Sequence, residues 1–135
     1  MIHFAGLKAV KNSIINPLEY WDSNVNGTIN LLKVMQENNC KTIVFSSSAT
    51  IYGLSGKKPI LEKDLIKPIN PYGHTKAAIE QILKDLYNSE DKAWRIITLR
   101  YFNPIGAHES GLIGEKTLDK PVNIIPLLNK VAAGK

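Results

Sequence analysis

The chain has 135 residues, about one ordinary domain, with 44% hydrophobic and 21% charged residues, a balance that supports a folded core and excludes a disordered chain. Lys and Arg total 17 against 12 Asp and Glu, giving a net charge of +5. The cations are scattered apart from Lys57, Lys58, Lys63 and Lys67 in one loop, which fits a solvated surface and not a nucleic-acid face. A single cysteine, Cys40, excludes an internal disulfide and a Cys-rich metal site, and suits a reducing, cytoplasmic setting. No apolar run approaches the ~20 residues of a membrane span, and no secretory leader is visible.

Met1 to Ala5 reads as a short buried strand ending at Gly6. Domains seldom open inside a core strand, so the chain is expected to begin partway through a fold. Asn16-Pro17 is a helix start, with Asn as cap and Pro at the first helical position. Leu18, Trp21, Val25, Ile29, Leu32 and Met35 recur at three- and four-residue spacing as one apolar face, and Asn38-Asn39 ends the helix. Lys41 to Ser47 is the next strand and Ser48 to Asn70 a loop rich in Gly, Pro and Lys. Pro71 opens a helix whose face holds Tyr72, Ile79, Ile82, Leu83 and Leu86. Trp94 to Leu99 is a third strand, Tyr101 to Lys120 is loop, and a last helix spans about 122–133. Apolar strands alternating with helices predict an α/β fold with a parallel sheet covered on both faces.

Ligands of open α/β sheets sit beyond the carboxyl ends of the strands. Three segments leave those ends here: Phe4-Ala5-Gly6-Leu7-Lys8, Ser46-Ser47-Ser48-Ala49-Thr50 and Arg100-Tyr101-Phe102-Asn103-Pro104. Tyr72 and Lys76 are four apart on the helix after the second strand, so they share a face. A phenol with a pKa near ~10 is a poor base at neutral pH. An ammonium beside it favours the phenolate and is expected to lower that value. Such a pair can take a proton from a sugar hydroxyl, with Ser48 relaying it. Tyr-x-x-x-Lys alone is a weak signal. The serine triplet upstream and the helix-opening position of the tyrosine give it weight.

Those segments, with Asn24-Val25-Asn26-Gly27-Thr28, Ser48-Ala49-Thr50-Ile51-Tyr52-Gly53 and Gly106-Ala107-His108, carry a resemblance. The chain resembles the extended short-chain dehydrogenase/reductase superfamily and, within its NAD-dependent epimerase/dehydratase family, the UDP-glucose 4-epimerases of galactose metabolism. The resemblance implies a Rossmann-like doubly wound sheet reduced to its active-site half. It implies NAD as cofactor, and inversion at carbon 4 of UDP-glucose and UDP-galactose through a 4-keto sugar. Phe4, Ala5, Gly6, Leu7 and Lys8 would line the NAD cleft, with Lys8 also reaching substrate. Ser48, Tyr72 and Lys76 would be the catalytic serine, base and ribose-binding lysine, Ser48 and Tyr72 touching both cofactor and substrate. Phe102 would pack near the nicotinamide. Asn103 and Asn123 would hold the sugar nucleotide. Ser23 stands where the family often has Asn, which alters one cofactor contact. The helices opened by Pro17 and Pro71 would form a homodimer surface, or would pack on the sheet alone.

The Gly-rich phosphate fingerprint and the acidic residue for the adenosine ribose are absent, as is most of a C-terminal substrate domain. The chain therefore reads as one partial domain over 1–135, entering the substrate-binding part from about residue 103. Other enzymes of the superfamily would share Ser48, Tyr72 and Lys76, although dehydratases often carry Asp-Glu where Ala49-Thr50 stands. A non-enzymatic fragment, inactive without an N-terminal partner, is the reading from a different class. His3 reads as a satisfied core histidine, His74 as surface, and Trp21 and Trp94 as core. No His, Asp or Glu group has metal spacing.

Overall fold

A computed structural model describes residues 1–56, 59–89, 93–106, 108–113 and 124–134. The chain divides between Phe102 and Asn103 into two compact units.

The first unit is built on a parallel sheet of three strands, β1 (Ile2–His3), β2 (Thr42–Ser48) and β3 (Arg95–Tyr101), in that spatial order. Register runs from Ile2 to Val44 to Ile97 and from His3 to Phe45 to Thr98. Between β1 and β2 the chain forms α1 (Val10–Ile15), α2 (Pro17–Tyr20), a π-helical stretch at Trp21–Asn26, and α3 (Gly27–Glu37). A 3₁₀ turn at Ala49–Tyr52 follows β2, and α4 (Pro71–Tyr87) leads to β3. A parallel sheet needs such crossovers, because strands running the same way cannot be joined by a tight hairpin.

The core lies between one face of this sheet and the helices. Ile43 and Phe45 of β2 pack with Leu32 and Met35 of α3, Ile79 and Leu83 of α4, and Trp94. Alternation along β2 sends Ile43 and Phe45 into the core and Val44 to the opposite face. In α4 the apolar residues at three- and four-residue spacing make the buried stripe, and Asn70 caps the helix by accepting from the Gly73 N–H at 2.8 Å.

Several expectations change. The first strand is two residues long and lies at the sheet edge, so Ile2 is 65% exposed and only His3 is buried. Ile2 points to the sheet face that no helix of this unit covers, and His3 to the face that α3 and α4 cover. The helix expected from Pro17 is one run that widens to π geometry in its middle, and α1 precedes it. Pro17 holds the first helical turn, but the Asn16 side chain makes no capping bond. Leu18 and Trp21, expected on the buried face, are exposed, because the wider π turns break the regular spacing ahead of Leu32 and Met35. Trp94 is core as expected. All the core helices lie on one sheet face within this unit, so Ile2 and Ile97 of the opposite face are left uncovered.

The second unit, from Asn103, contains α5 (Ile124–Ala132). Gly111 and Gly134 take the left-handed conformation, Gly134 just past the end of α5, where a helix commonly stops. Among the described residues no helix is long and apolar enough to cross a membrane, and no group of three His, Cys, Asp or Glu could hold a metal ion.

Candidate active site

The carboxyl end of β2 and the first turns of α4 bring Ser48, Tyr72 and Lys76 together. All three are buried although two are polar and one is charged. The Ser48 side chain lies close enough to the Tyr72 phenol to favour its ionised form. The Ser48 Oγ accepts from the Thr50 N–H at 3.2 Å and from the Thr50 hydroxyl at 3.0 Å. With both lone pairs engaged, the serine's own proton is left to be given toward the phenol.

The approach of α4 to this turn depends on Gly73. A Cβ there would lie 3.0 Å from both the Thr50 carbonyl oxygen and Pro68 Cβ. A side chain would therefore lift the tyrosine-bearing turn away from Ser48.

Lys76 Nζ donates to the Ser46 carbonyl at 2.8 Å and sits 4.8 Å above the Phe45 ring and 5.8 Å from the Tyr72 ring centre. Burial lowers its pKa to about 8. The expected lowering of the tyrosine is not found. Burial raises the Tyr72 phenol above its ordinary value, and the Ser48 side chain opposes this only in part. The lysine spends its strongest contact on a backbone carbonyl and not on the phenol oxygen. In this chain the unusual titration therefore falls on Lys76.

The loop after β1 is held by a residue that spacing rules did not single out. Asn24, inside the π-helical stretch, is 2% exposed. Its Oδ1 accepts from the Leu7 N–H at 2.7 Å, and its Nδ2 donates to the Leu7 carbonyl at 3.0 Å and to Thr75 Oγ1 at 3.2 Å. One side chain thus ties the loop at the end of β1 to the helix that carries Tyr72 and Lys76. Gly6 has φ of +147°, and a Cβ there would come 2.9 Å from Asn24 Oδ1, so both the backbone and the close approach call for glycine. The signal in the sequence was the Asn24-Val25-Asn26-Gly27-Thr28 segment. Its mechanism was hidden because a π turn is not visible in a 3.6-residue pattern.

His3 is buried as expected, and its Nε2 lies 3.0 Å from Thr28 Oγ1. Thr28 gives its proton to the Asn24 carbonyl at 2.6 Å, so it accepts from His3, whose proton is then on Nε2. Burial, and after it the charge of Lys76, hold His3 below its ordinary pKa. His74 is exposed as expected.

The other expected site residues fall in separate places. Phe4, Ala5, Gly6 and Ser23 line an open cleft of about 420 Å³ beside His3 and Gly27. Leu7 is half-buried and Lys8 exposed. Phe102 lines a different open cleft of about 510 Å³, with Tyr52, Glu62, Arg100 and Tyr101. Phe4 stacks on Tyr101 with ring centres 6.3 Å apart. Asn103 is an exposed residue of the second unit, and Asn123 lies outside the described residues.

A serine hydroxyl, a phenol and, one turn away, a lysine that titrates near 8 thus meet at the carboxyl end of a parallel strand. UDP-glucose 4-epimerase from Pisum sativum is 52% identical over 135 residues, which are 100% of this chain and 38% of that protein. The bifunctional protein gal10 of Schizosaccharomyces pombe is 56% identical over 139 residues, 19% of its length. A crystal structure of UDP-glucose 4-epimerase from Bifidobacterium longum, in complex with NAD+ and UDP, matches with a TM-score of 0.91 and 52% identity, over 98% of this chain and 40% of that one. The Stenotrophomonas maltophila enzyme, with bound NAD and formylated UDP-arabinopyranose, matches with a TM-score of 0.93 and 47% identity, over 98% and 39%. The chain thus spans about two-fifths of the length of the single-activity relatives it matches. All of it, residues 1–135, matches one family, and the chain belongs to the NAD dependent epimerase/dehydratase family.

Proposed function

We propose that this chain supplies the catalytic residues of a UDP-glucose 4-epimerase that interconverts UDP-glucose and UDP-galactose, in the cytoplasm, through a 4-keto sugar. The observation that carries the reading is that Ser48 and Tyr72 are buried together at the end of β2, with Lys76 one turn further along α4 and bonded to the same strand. NAD fits the chain's own residues: Gly6 must lack a side chain where the loop meets Asn24, and Phe4, Ala5, Gly6 and Ser23 line one cleft. NAD held there would supply the acceptor for a hydride from the sugar carbon and the donor for its return.

The protein's part is to move the proton and hold the geometry. Tyr72 takes the proton of the sugar 4-hydroxyl, with Ser48 hydrogen-bonding the reacting oxygen and relaying the proton. Lys76 binds the ribose and is largely charged at neutral pH, since it titrates near 8. The Ser48 side chain opposes in part the burial that keeps the phenol protonated. Lys8, Phe102, Asn103 and Asn123 hold cofactor and substrate in this reading. The segment from Asn103 belongs to the substrate-binding part. The exposed Leu18 and Trp21 on the first long helix supply an apolar surface for a homodimer.

The test is Tyr72→Phe in this chain joined to the flanking segments of a relative. Removing the phenol oxygen keeps the packing of the ring. The expected loss is ~10²–10⁴-fold in kcat with little change in KM, because the oxygen acts in the transition state. Near-normal turnover of UDP-galactose by the Phe variant would sink the mechanism.

A further inference from the structure

Glu80 lies one turn beyond Lys76, on the stripe that already holds Tyr72. Its carboxylate takes the Ser47 hydroxyl at 2.5 Å through Oε1. Arg100, near the end of β3, closes on the same carboxylate: Nε donates to both oxygens at 3.0 and 3.2 Å, and Nη2 donates to Oε2 at 2.6 Å. The other arm of the guanidinium, Nη1, donates to Tyr52 Oη at 2.6 Å and to the Glu62 carbonyl at 2.8 Å. The cation also lies 5.2 Å from the centre of the Tyr52 ring.

We propose that Glu80, held by Arg100, is a positioning residue that sets the register of α4 on β2 and so places Tyr72 and Lys76 against Ser48. This rests on the epimerase reading of the site and extends it to groups that touch none of the reacting atoms. Three successive turns of α4 meet three successive residues of β2: Tyr72 meets Ser48, Lys76 meets Ser46 and Glu80 meets Ser47. Lys76 makes a single hydrogen bond here. Glu80 is the one with a two-point ionic clamp, and a planar guanidinium fork fixes direction as well as distance.

The same clamp reaches both elements that flank Ser48. Tyr52 closes the 3₁₀ turn that begins right after the serine, and Arg100 sits on β3 beside it, paired in register with Ser47. Side-chain exposure of 20% for Arg100 and 10% for Glu80 removes most solvent screening, so the pair is more directional than a surface ion pair. Reaction geometry is sensitive at this scale, a displacement of about 1 Å being able to cost ~10²-fold in rate.

The test reads Lys76 directly and needs no turnover, so it stands apart from the Tyr72→Phe experiment. The Lys76 ammonium is titrated by NMR in the 135-residue chain, labelled at lysine, with Tyr72 on its own helix and His3 on β1 as the titratable groups that sense it. The unsubstituted chain is expected to titrate near 8. Glu80→Ala loosens the helix from β2 and lets water reach Nζ, so the midpoint rises by at least one pH unit, a tenfold gain in proton affinity. Loss of the carboxylate's charge alone would move the midpoint the other way, so the sign separates positioning from electrostatics. Arg100→Lys, which keeps the charge but not the fork, raises the midpoint by less, and Ser47→Ala by less again; these serve if Glu80→Ala does not fold. A midpoint that stays or falls in the folded variants, with only the melting temperature reduced, would overturn the proposal.

Discussion

The two faces of the same three-stranded sheet both carry branched apolar side chains, and those side chains have opposite fates. On one, Ile43 and Phe45 are fully buried under α3 and α4. On the other, Ile2, Val44 and Ile97 stand side by side in register, and Ile2 and Ile97 are 65% and 56% exposed. Strand sequence alone does not decide burial. What differs is the layer laid over each face, and with it the chemistry: the polar groups of the site, Ser47, Thr75 and Lys76, are buried on the helical side. There a hydrogen bond or an ion pair is worth having, because water does not compete for it.

The largest break in this comparison comes from Phe45→Ala. The ring is fully buried, packs against α3 and α4, meets the His3 ring at 5.8 Å and lies beneath Lys76 Nζ. Truncating a buried Phe costs about 3–5 kcal/mol, a large part of the ~5–15 kcal/mol available to a domain. Thermal unfolding followed by circular dichroism should show the variant largely unfolded or with its melting temperature strongly reduced. A small change would mean that the helical layer is not what holds the sheet.

How far the sequence reveals this depends on the residue. The parallel strands, α4 and the Ser48–Tyr72–Lys76 constellation are legible, because periodicity and four-residue spacing are local properties. Asn24 is not, since a π turn shifts which side chains face inward without leaving a periodic trace. Glu80 and Arg100 are twenty residues apart on the consecutive elements α4 and β3, so their meeting depends on strand register. The raised Tyr72 phenol is likewise a consequence of burial, which four-residue spacing cannot measure.

The second prediction concerns the buried charge on the helical face. Lys76 titrates near 8 in the folded chain against 10.5 for an ordinary lysine. Between those values the unfolded chain binds the proton that the folded chain has given up, so stability should rise with pH from about 8 to 10. The full difference is worth roughly 3 kcal/mol. Tyr72 works in the opposite sense but only above its ordinary value of 10, because its folded pKa is raised and its ionisation then favours unfolding. Urea midpoints measured across pH 7 to 10 should climb for the natural chain and flatten for Lys76→Met, which fills the same space without a charge. An equal slope in both would remove Lys76 as the source.

The smallest expected effect is the sharpest check on the contrast between the faces. Ile97→Thr and Ile43→Thr make the same chemical change in neighbouring strands. Threonine keeps the β-branched shape that suits a strand, so strand propensity changes little at either site. At Ile97 the side chain is more than half exposed, and the new hydroxyl can reach water, so the cost should stay within about 0.5 kcal/mol. At Ile43 the hydroxyl would be buried among Leu32, Ile79 and Leu83, where an unpaired polar group costs about 1–3 kcal/mol beyond the lost apolar contact. Urea unfolding of the two variants at a single low protein concentration should therefore separate them clearly. If Ile97→Thr proved as costly as Ile43→Thr, the outer face would be covered in solution. Repeating the measurement at higher dilution would show whether a second copy covers it, since an intermolecular contact weakens with concentration and an intramolecular one does not.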